Sequence, residues 1–183
     1  MFKVGFGYDS HRFAKDRKLF LGGVEIESDL GLQGHSDADV LLHALMDALL
    51  GAVASGDIGS HFPDNDPQYK NISSLKLLTE VKKEVEKKKF VINNCDLVIV
   101  AEKPKLKPYR SQIIASIAEN LKLAEKEINF KATTNEKMGF TGRGEGIAAY
   151  AVVSVVEKTL WQFLKRLTKK GVLDDVSKEY NDK

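Results

Sequence analysis

The sequence predicts an α+β protein, a two-layer α/β sandwich whose mixed four-to-five-stranded sheet carries helices on one face. Three observations lead there. Strand-like and helix-like segments interleave, yet no long parallel strand–helix–strand series runs through the chain. Gly22-Gly23, set between two short apolar runs, is a hairpin signal and implies antiparallel pairing. The 183 residues, 43% hydrophobic and 30% charged, suit one globular domain with a sizeable core rather than a disordered chain.

Taken in order, Phe2 to Tyr8 reads as a strand that stops at Gly5 and Gly7 and runs into Asp9, Ser10 and His11. Lys18–Leu21 and Val24–Ile26 form the hairpin arms. Ser36 followed by Asp39 reads as a capping box that opens a long apolar helix, LLHALMDALLGAVAS, ending near Gly56. Asp57 to Pro67 is dense in turn residues and reads as a loop. Ser73 is placed to cap a second, amphipathic helix with a Lys-rich end. Phe90–Ala101 is a strand, Pro104 and Pro108 break the chain, and Arg110–Leu121 is a third helix. Ile128–Thr134 and the β-branched Ile147–Val156 are strands, joined by a Gly-rich loop from Asn135 to Gly146. Residues 1–158 therefore make the domain. Residues 159–183 are a C-terminal extension, first a basic amphipathic helix and then a polar tail.

Composition excludes several functions. Twenty-eight Lys and Arg against 26 Asp and Glu leave +2, too near neutral for nucleic acid as the main partner. One cysteine, Cys95, rules out an internal disulfide and a cysteine-built zinc site, and its β-branched surroundings make it a packing residue. No apolar run approaches the ~20 residues of a membrane span. Lys3 leads straight into patterned, Gly-rich sequence rather than a signal peptide, so a cytoplasmic location is expected. Neither G-x-x-x-x-G-K-[ST] nor a strand-linked G-x-G-x-x-G is present, and Ser10, Ser36 and Ser74 lack a nucleophile elbow. His61 sits in the turn-rich loop and reads as a surface residue.

Three polar constellations remain. Asp9 and His11, two apart in an extended segment, point the same way. His35, Asp39, His43 and Asp47 recur every four residues, and from Asp39 onward they form a polar stripe on an apolar helix. Asp9, His11 and His43 together supply three N/O ligands and leave one tetrahedral position, as in catalytic zinc sites. Asp47 is then placed to accept the spare N–H of a ligand histidine. The third is Lys131-Ala-Thr-Thr-Asn-Glu-Lys137, whose hydroxyls, carboxylate and lysine suit a phosphate and a divalent ion. Each of these segments also has a plainer reading, as a helix cap, a satisfied histidine or a solvated turn.

Four blocks in fixed order carry a resemblance: GYDSHRF, GLQGHSDADVLLHALMDALLGA, GDIGSHFPD and FKATTNEKMGFTGRGEGIA. Over about Phe2 to Lys158 the chain resembles the 2-C-methyl-D-erythritol 2,4-cyclodiphosphate synthases of the non-mevalonate isoprenoid pathway. The resemblance implies a homotrimer with active sites at subunit interfaces. It implies conversion of 4-diphosphocytidyl-2-C-methyl-D-erythritol 2-phosphate to the 2,4-cyclodiphosphate with release of CMP. The family's zinc ligands fall at Asp9, His11 and His43, and Glu136 matches the holder of a second divalent ion, Mg²⁺ or Mn²⁺. His35 and Ser36 match contacts to the substrate phosphate and erythritol. Asp57 and Gly59 match residues on the methylerythritol hydroxyls, and Asp64 belongs to the same loop. Ala101, Lys105, Leu106, Thr133 and Thr134 match the cytidine pocket, supplied by a neighbouring subunit. The catalytic set implied is Asp9, His35, Asp57, Thr134, Glu136 and Lys137. Phe140 and Arg143 match a cavity on the threefold axis, where family members can hold an isoprenoid diphosphate.

Tyr150 stands where the family often has Glu, near that cavity, and the extension from about Thr159 inherits no role. Two other readings stay open at this level. One is a zinc phosphohydrolase with Asp57 as base; the other is a non-catalytic isoprenoid-diphosphate sensor.

Overall fold

The structure, a computed structural model, describes residues 1–63, 65–69 and 72–169. A five-stranded mixed sheet runs in the order β4-β1-β7-β5-β6. Its strands are β1 (Phe2–Ala14), β4 (Gly31–Leu32), β5 (Phe90–Val100), β6 (Ile128–Thr133) and β7 (Gly146–Glu157). Only β5 and β6 pair in parallel. The expected hairpin, β2 (Leu19–Leu21) and β3 (Val24–Ile26), forms a separate two-stranded sheet. Helices α1 (Val40–Ala52), α3 (Ser74–Lys87) and α4 (Arg110–Leu121) cover one face of the large sheet, giving the two-layer sandwich. Short helices α2 (Ile58–His61) and α5 (Gly139–Gly142) lie inside the two segments read as loops.

The core is built around α1. It packs against β1 and β7 on one side and α3 on the other, so it is apolar nearly all round. Leu41, Leu42, Leu45, Met46, Leu49 and Leu50 are fully buried, each contributing about 1.5–3 kcal/mol relative to exposure. Cys95 is buried in this core, as expected, and burial pushes its thiol up to about 12.

The sequence reading of β1 needs correction. Gly5 and Gly7 do not end the strand; they let α1 lie directly on it. A β-carbon at Gly5 would sit 1.8 Å from the Ala48 carbonyl oxygen, and one at Gly7 2.0 Å from that of Ala44. The strand continues through Asp9 and His11, which share the inward parity of Gly5 and Gly7. The opposite parity gives the outer face. There Phe2, Val4, Phe6 and Tyr8 stand exposed beside Tyr150 and Val152 of β7. Tyr8 and Tyr150 pack with ring centroids 5.0 Å apart.

Two helix starts also differ. The capping box at Ser36 does not form: Asp39 is the N-cap of α1 and accepts from Leu42 N at 3.1 Å. The same buried carboxylate accepts from Gly22 N and Gly23 N, tying the hairpin turn to the helix start. The helix ends at Ala52, short of Gly56. Ser73 is the N-cap residue of α3 but makes no side-chain capping bond; Asp37 takes the Ser74 N–H instead, at 2.9 Å. The expected helix beyond the domain is α6 (Lys158–Lys169). The polar tail from 170 to 183 lies outside the described residues, and no helix among those described is long and apolar enough to cross a membrane.

Candidate metal centre and nucleotide cleft

The inward parity of β1 and the antiparallel course of α1 fix the centre. Moving along β1 from Gly5 to Gly7, the strand meets Ala48 and then Ala44 of α1. The next inward side chain, Asp9, therefore meets His43, and His11 follows. Asp9 Oδ2 lies 3.0 Å from His43 Nδ1 and 3.0 Å from His11 Nε2, and those two nitrogens are 3.0 Å from each other. Three donor atoms this close match the spacing a single ion bridges at N/O bonds of about 2.0–2.2 Å. One carboxylate and two imidazoles suit a divalent transition metal. Among the described residues this is the one group of three or more that could hold an ion.

The electrostatics agree with that use. Burial would raise the Asp9 carboxyl, but hydrogen bonds and charge from His11 and His43 hold it well below the ordinary carboxylate range. Burial would lower His43, but the Asp9 hydrogen bond and charge, with Asp39 and Asp37 behind, push it up.

Asp47 is not the partner of a ligand histidine. It accepts from Ile58 N at 2.8 Å, pinning α2 to α1, and burial raises its carboxyl. The outer nitrogen of His43, Nε2, instead faces two hydroxyls, Ser74 Oγ at 3.1 Å and Ser36 Oγ at 3.2 Å. His35, Gly59, Phe62 and Tyr69 line the cleft of about 230 Å³ above the triad. The buried Nε2 of His35 has no hydrogen-bond partner among the described residues. Arg17 holds the His35 segment by donating to the carbonyls of Gly34 (3.0 Å) and Ser36 (2.7 Å). No motif marked Arg17.

Asp57 is the N-cap of α2. Its Oδ1 accepts from Ser60 Oγ and Ser60 N, which lower its pKa. One oxygen is thus committed locally, a poor arrangement for a general base. His61 is tied down as well, its Nε2 2.7 Å from the Ser55 carbonyl. Asp64 lies outside the described residues.

A second cleft, of about 450 Å³, opens where β5 and β6 end. Ala101, Lys105, Leu106, Thr133 and Thr134, the five residues proposed for one pocket, all line it. Among the described residues it shares no lining residue with the triad cleft. Beside it the backbone turns sharply at Glu136 (φ 50) and Lys137 (φ 63), left-handed positions that non-glycine residues avoid. Glu102 holds this turn, its Oε1 accepting from Asn135 N (3.1 Å) and Lys137 N (3.2 Å). Thr134 Oγ1 donates to Glu136 Oε1 at 2.6 Å. Glu102 carried no sequence signal, since it acts through backbone N–H groups 33 and 35 residues away. Phe140 is exposed, and Arg143 donates to Glu145 at 2.6 Å.

The comparisons with known proteins fit this geometry. The YgbB family model matches residues 2–156. A 2-C-methyl-D-erythritol 2,4-cyclodiphosphate synthase of Lachnospira eligens is 58% identical over 153 residues, covering 84% of each chain. Among solved structures, the IspF–CDP complex of Plasmodium falciparum is 33% identical. It aligns with a TM-score of 0.75 over 86% of this chain and 97% of its own. The bifunctional IspDF of Campylobacter jejuni aligns with a TM-score of 0.83 at 43% identity, covering 87% of this chain; the chain spans 44% of that larger protein. The inward-facing glycines of β1, the Asp–His–His triad and the match from residue 2 to 156 make this chain a member of the YgbB family.

Proposed function

We propose that this protein carries out the reaction for which its relatives are named. It converts 4-diphosphocytidyl-2-C-methyl-D-erythritol 2-phosphate to 2-C-methyl-D-erythritol 2,4-cyclodiphosphate and releases CMP, in isoprenoid precursor synthesis. The observation that carries the reading is the triad of donor atoms, mutually 3.0 Å apart, under a cleft that holds an unpartnered histidine nitrogen.

The reaction closes a ring. A 2-phosphate oxygen attacks the β-phosphorus, and the bond from that phosphorus to the oxygen shared with the α-phosphate breaks, so CMP leaves. No protein nucleophile is needed; the barrier lies in bringing two anionic groups together and in holding the charge. Asp9, His11 and His43 would hold Zn²⁺, and Glu136 a Mg²⁺ or Mn²⁺; such ions supply Lewis-acid charge to phosphoryl oxygens. His35 Nε2 is placed to donate to a phosphate oxygen. Asp57, kept ionised, has its second oxygen to accept a substrate hydroxyl, beside Gly59. Lys137 and Thr134 are assigned to the substrate diphosphate, where charge grows as CMP leaves, and Lys105, Leu106, Ala101 and Thr133 to the nucleotide. Ser36 serves from the floor of the cleft, and Asp64 is assigned by its motif alone.

The working unit proposed is a homotrimer. The exposed apolar face of β1 and β7 supports it, because a monomer rarely leaves such a patch in water. The separate linings of the two clefts support a site completed by a second copy. Phe140 and Arg143 would then border the axis, where an isoprenoid diphosphate would compete with Glu145 for Arg143. The expected location is the cytoplasm.

Phosphorus NMR of the protein with the cytidyl diphosphate substrate, Mg²⁺ and Zn²⁺ tests the reading. A cyclic diphosphate appearing with CMP is expected. A linear 2,4-bisphosphate appearing with CMP would turn the reading to hydrolysis, and intact substrate in zinc-loaded protein would turn it to binding.

A further inference from the structure

We propose that Asp37 and Ser74 are positioning residues that fix which nitrogen of His43 is offered to the metal. The proposal rests on the reading of the triad as a metal centre and extends it by two residues to which the sequence reading gives no part in that centre.

His43 turns Nδ1 toward Asp9 and His11, so Nε2 is its only other polar atom. Nε2 lies 3.1 Å from Ser74 Oγ, in a side chain with no exposed surface. A serine hydroxyl has one proton and two lone pairs. Ser74 donates that proton to Asp37 Oδ1 in a short, charge-assisted hydrogen bond. Its oxygen can therefore only accept from Nε2. That places the imidazole proton on Nε2 and leaves the Nδ1 lone pair facing the triad. A carboxylate reached through a hydroxyl also makes the imidazole a stronger donor of electrons to an ion.

The relay is held from both ends. Asp37 Oδ2 accepts Ser74 N at 2.9 Å, so Asp37 caps the start of α3. Asp37 N donates to the Ile72 carbonyl at 3.1 Å, binding its loop to the lead-in of the same helix. Capping needs only Oδ2; the Oδ1–Ser74–His43 line is an addition to it. Ser36, the other hydroxyl at Nε2, accepts from Ala38 N at 3.1 Å and has no carboxylate behind it among the described residues. It cannot fix the proton as Ser74 does.

The test is zinc affinity of the full-length protein, measured by competition with a chromogenic chelator, for wild type, Ser74→Ala, Asp37→Asn and Ser36→Ala. Ser74→Ala and Asp37→Asn should each weaken zinc binding about 10–100-fold. The asparagine amide would donate to Ser74 Oγ, turn the serine proton toward Nε2 and put the histidine proton on Nδ1. Ser36→Ala should change affinity much less. Adding Asp37→Asn to Ser74→Ala should cost no further affinity, because one line is already cut. A role in capping alone would instead lower the melting temperature of Asp37→Asn and leave zinc affinity unchanged.

A slowly exchanging His43 Nε2–H proton, downfield of the amides in the NMR spectrum of zinc-loaded wild type, should vanish in Ser74→Ala. Zinc affinity of both Ser74→Ala and Asp37→Asn within about twofold of wild type would overturn the relay. So would a loss carried by Ser36→Ala alone. If Ser74→Ala does not fold, the isosteric Asp37→Asn decides by itself. Wild-type protein that took up no zinc would overturn the metal centre and the relay together.

Discussion

Gly7 of β1 and Ala44 of α1 lie so close that a β-carbon on the glycine would stand 2.0 Å from the alanine carbonyl oxygen. That contact sets the depth at which α1 lies on the sheet, and so the distance from His43 to Asp9. Gly7→Ala should force strand and helix apart. We expect a loss of at least about 1–3 kcal/mol, the cost of overpacking a core. Urea denaturation gives the loss, and metal content should fall in whatever folded protein remains.

The triad sets a pH dependence for metal-free protein. The folded value of Asp9 is depressed, so its stabilisation is present above the ordinary 3.8 and is lost as pH falls through the lower folded value. The folded value of His43 is raised, so its stabilisation is full below the ordinary 6.5 and is lost as pH rises through the higher folded value. Metal-free protein should therefore be most stable between about pH 4 and 6.5 and weaken on both sides. Metal needs Nδ1 of His43 without its proton, so metal affinity should rise as pH climbs above about 6.5, the alkaline side on which metal-free stability falls. Urea midpoints across pH, with and without chelator, check both statements.

Much of this was legible in the sequence, for local reasons. The hairpin at Gly22-Gly23 and helix α4 after Pro108 are marked by residues within a few positions. Asp9, His11 and His43 stood out because an i,i+2 pair and a histidine on an apolar helix each need a partner. Gly5 and Gly7 were misread because glycine marks both a strand end and a close backbone approach, and only α1 distinguishes them. The cap at Ser36 was misplaced for a similar reason, while Ser73 is the N-cap residue of α3 but leaves the capping bond to Asp37. A serine before a helix fits the pattern, but Asp39 and Asp37 reach the free N–H groups first. Glu102, Arg17 and the Asp37–Ser74 line act across the fold and leave no local signal.

Glu102 keeps Glu136 and Lys137 in their left-handed turn. Glu102→Ala removes two hydrogen bonds to a charged acceptor, each worth about 1.5–3 kcal/mol. Turnover should fall tenfold or more, at about 1.4 kcal/mol per tenfold, while the ion at the triad is retained. Metal content and kcat measured on one preparation separate this from damage to the metal centre.

The outer sheet face should govern assembly. Val4→Asp places a charge in the exposed apolar patch, on the face of β1 opposite the triad. Light scattering should show the proposed trimer reduced to monomer. Activity should fall with it, while each monomer still binds its triad ion. An intact trimer in Val4→Asp would place the subunit contacts elsewhere.

The central claim is that Asp9, His11 and His43 hold one ion on which ring closure depends. The most direct test measures metal per chain and cyclic product together, in wild type and His43→Ala, after reconstitution with Zn²⁺ and excess Mg²⁺. One zinc ion per wild-type chain is expected, with cyclic diphosphate and CMP formed. Loss of both the zinc ion and the product is expected in a folded His43→Ala. A His43→Ala protein that kept one zinc ion per chain and still closed the ring would contradict it.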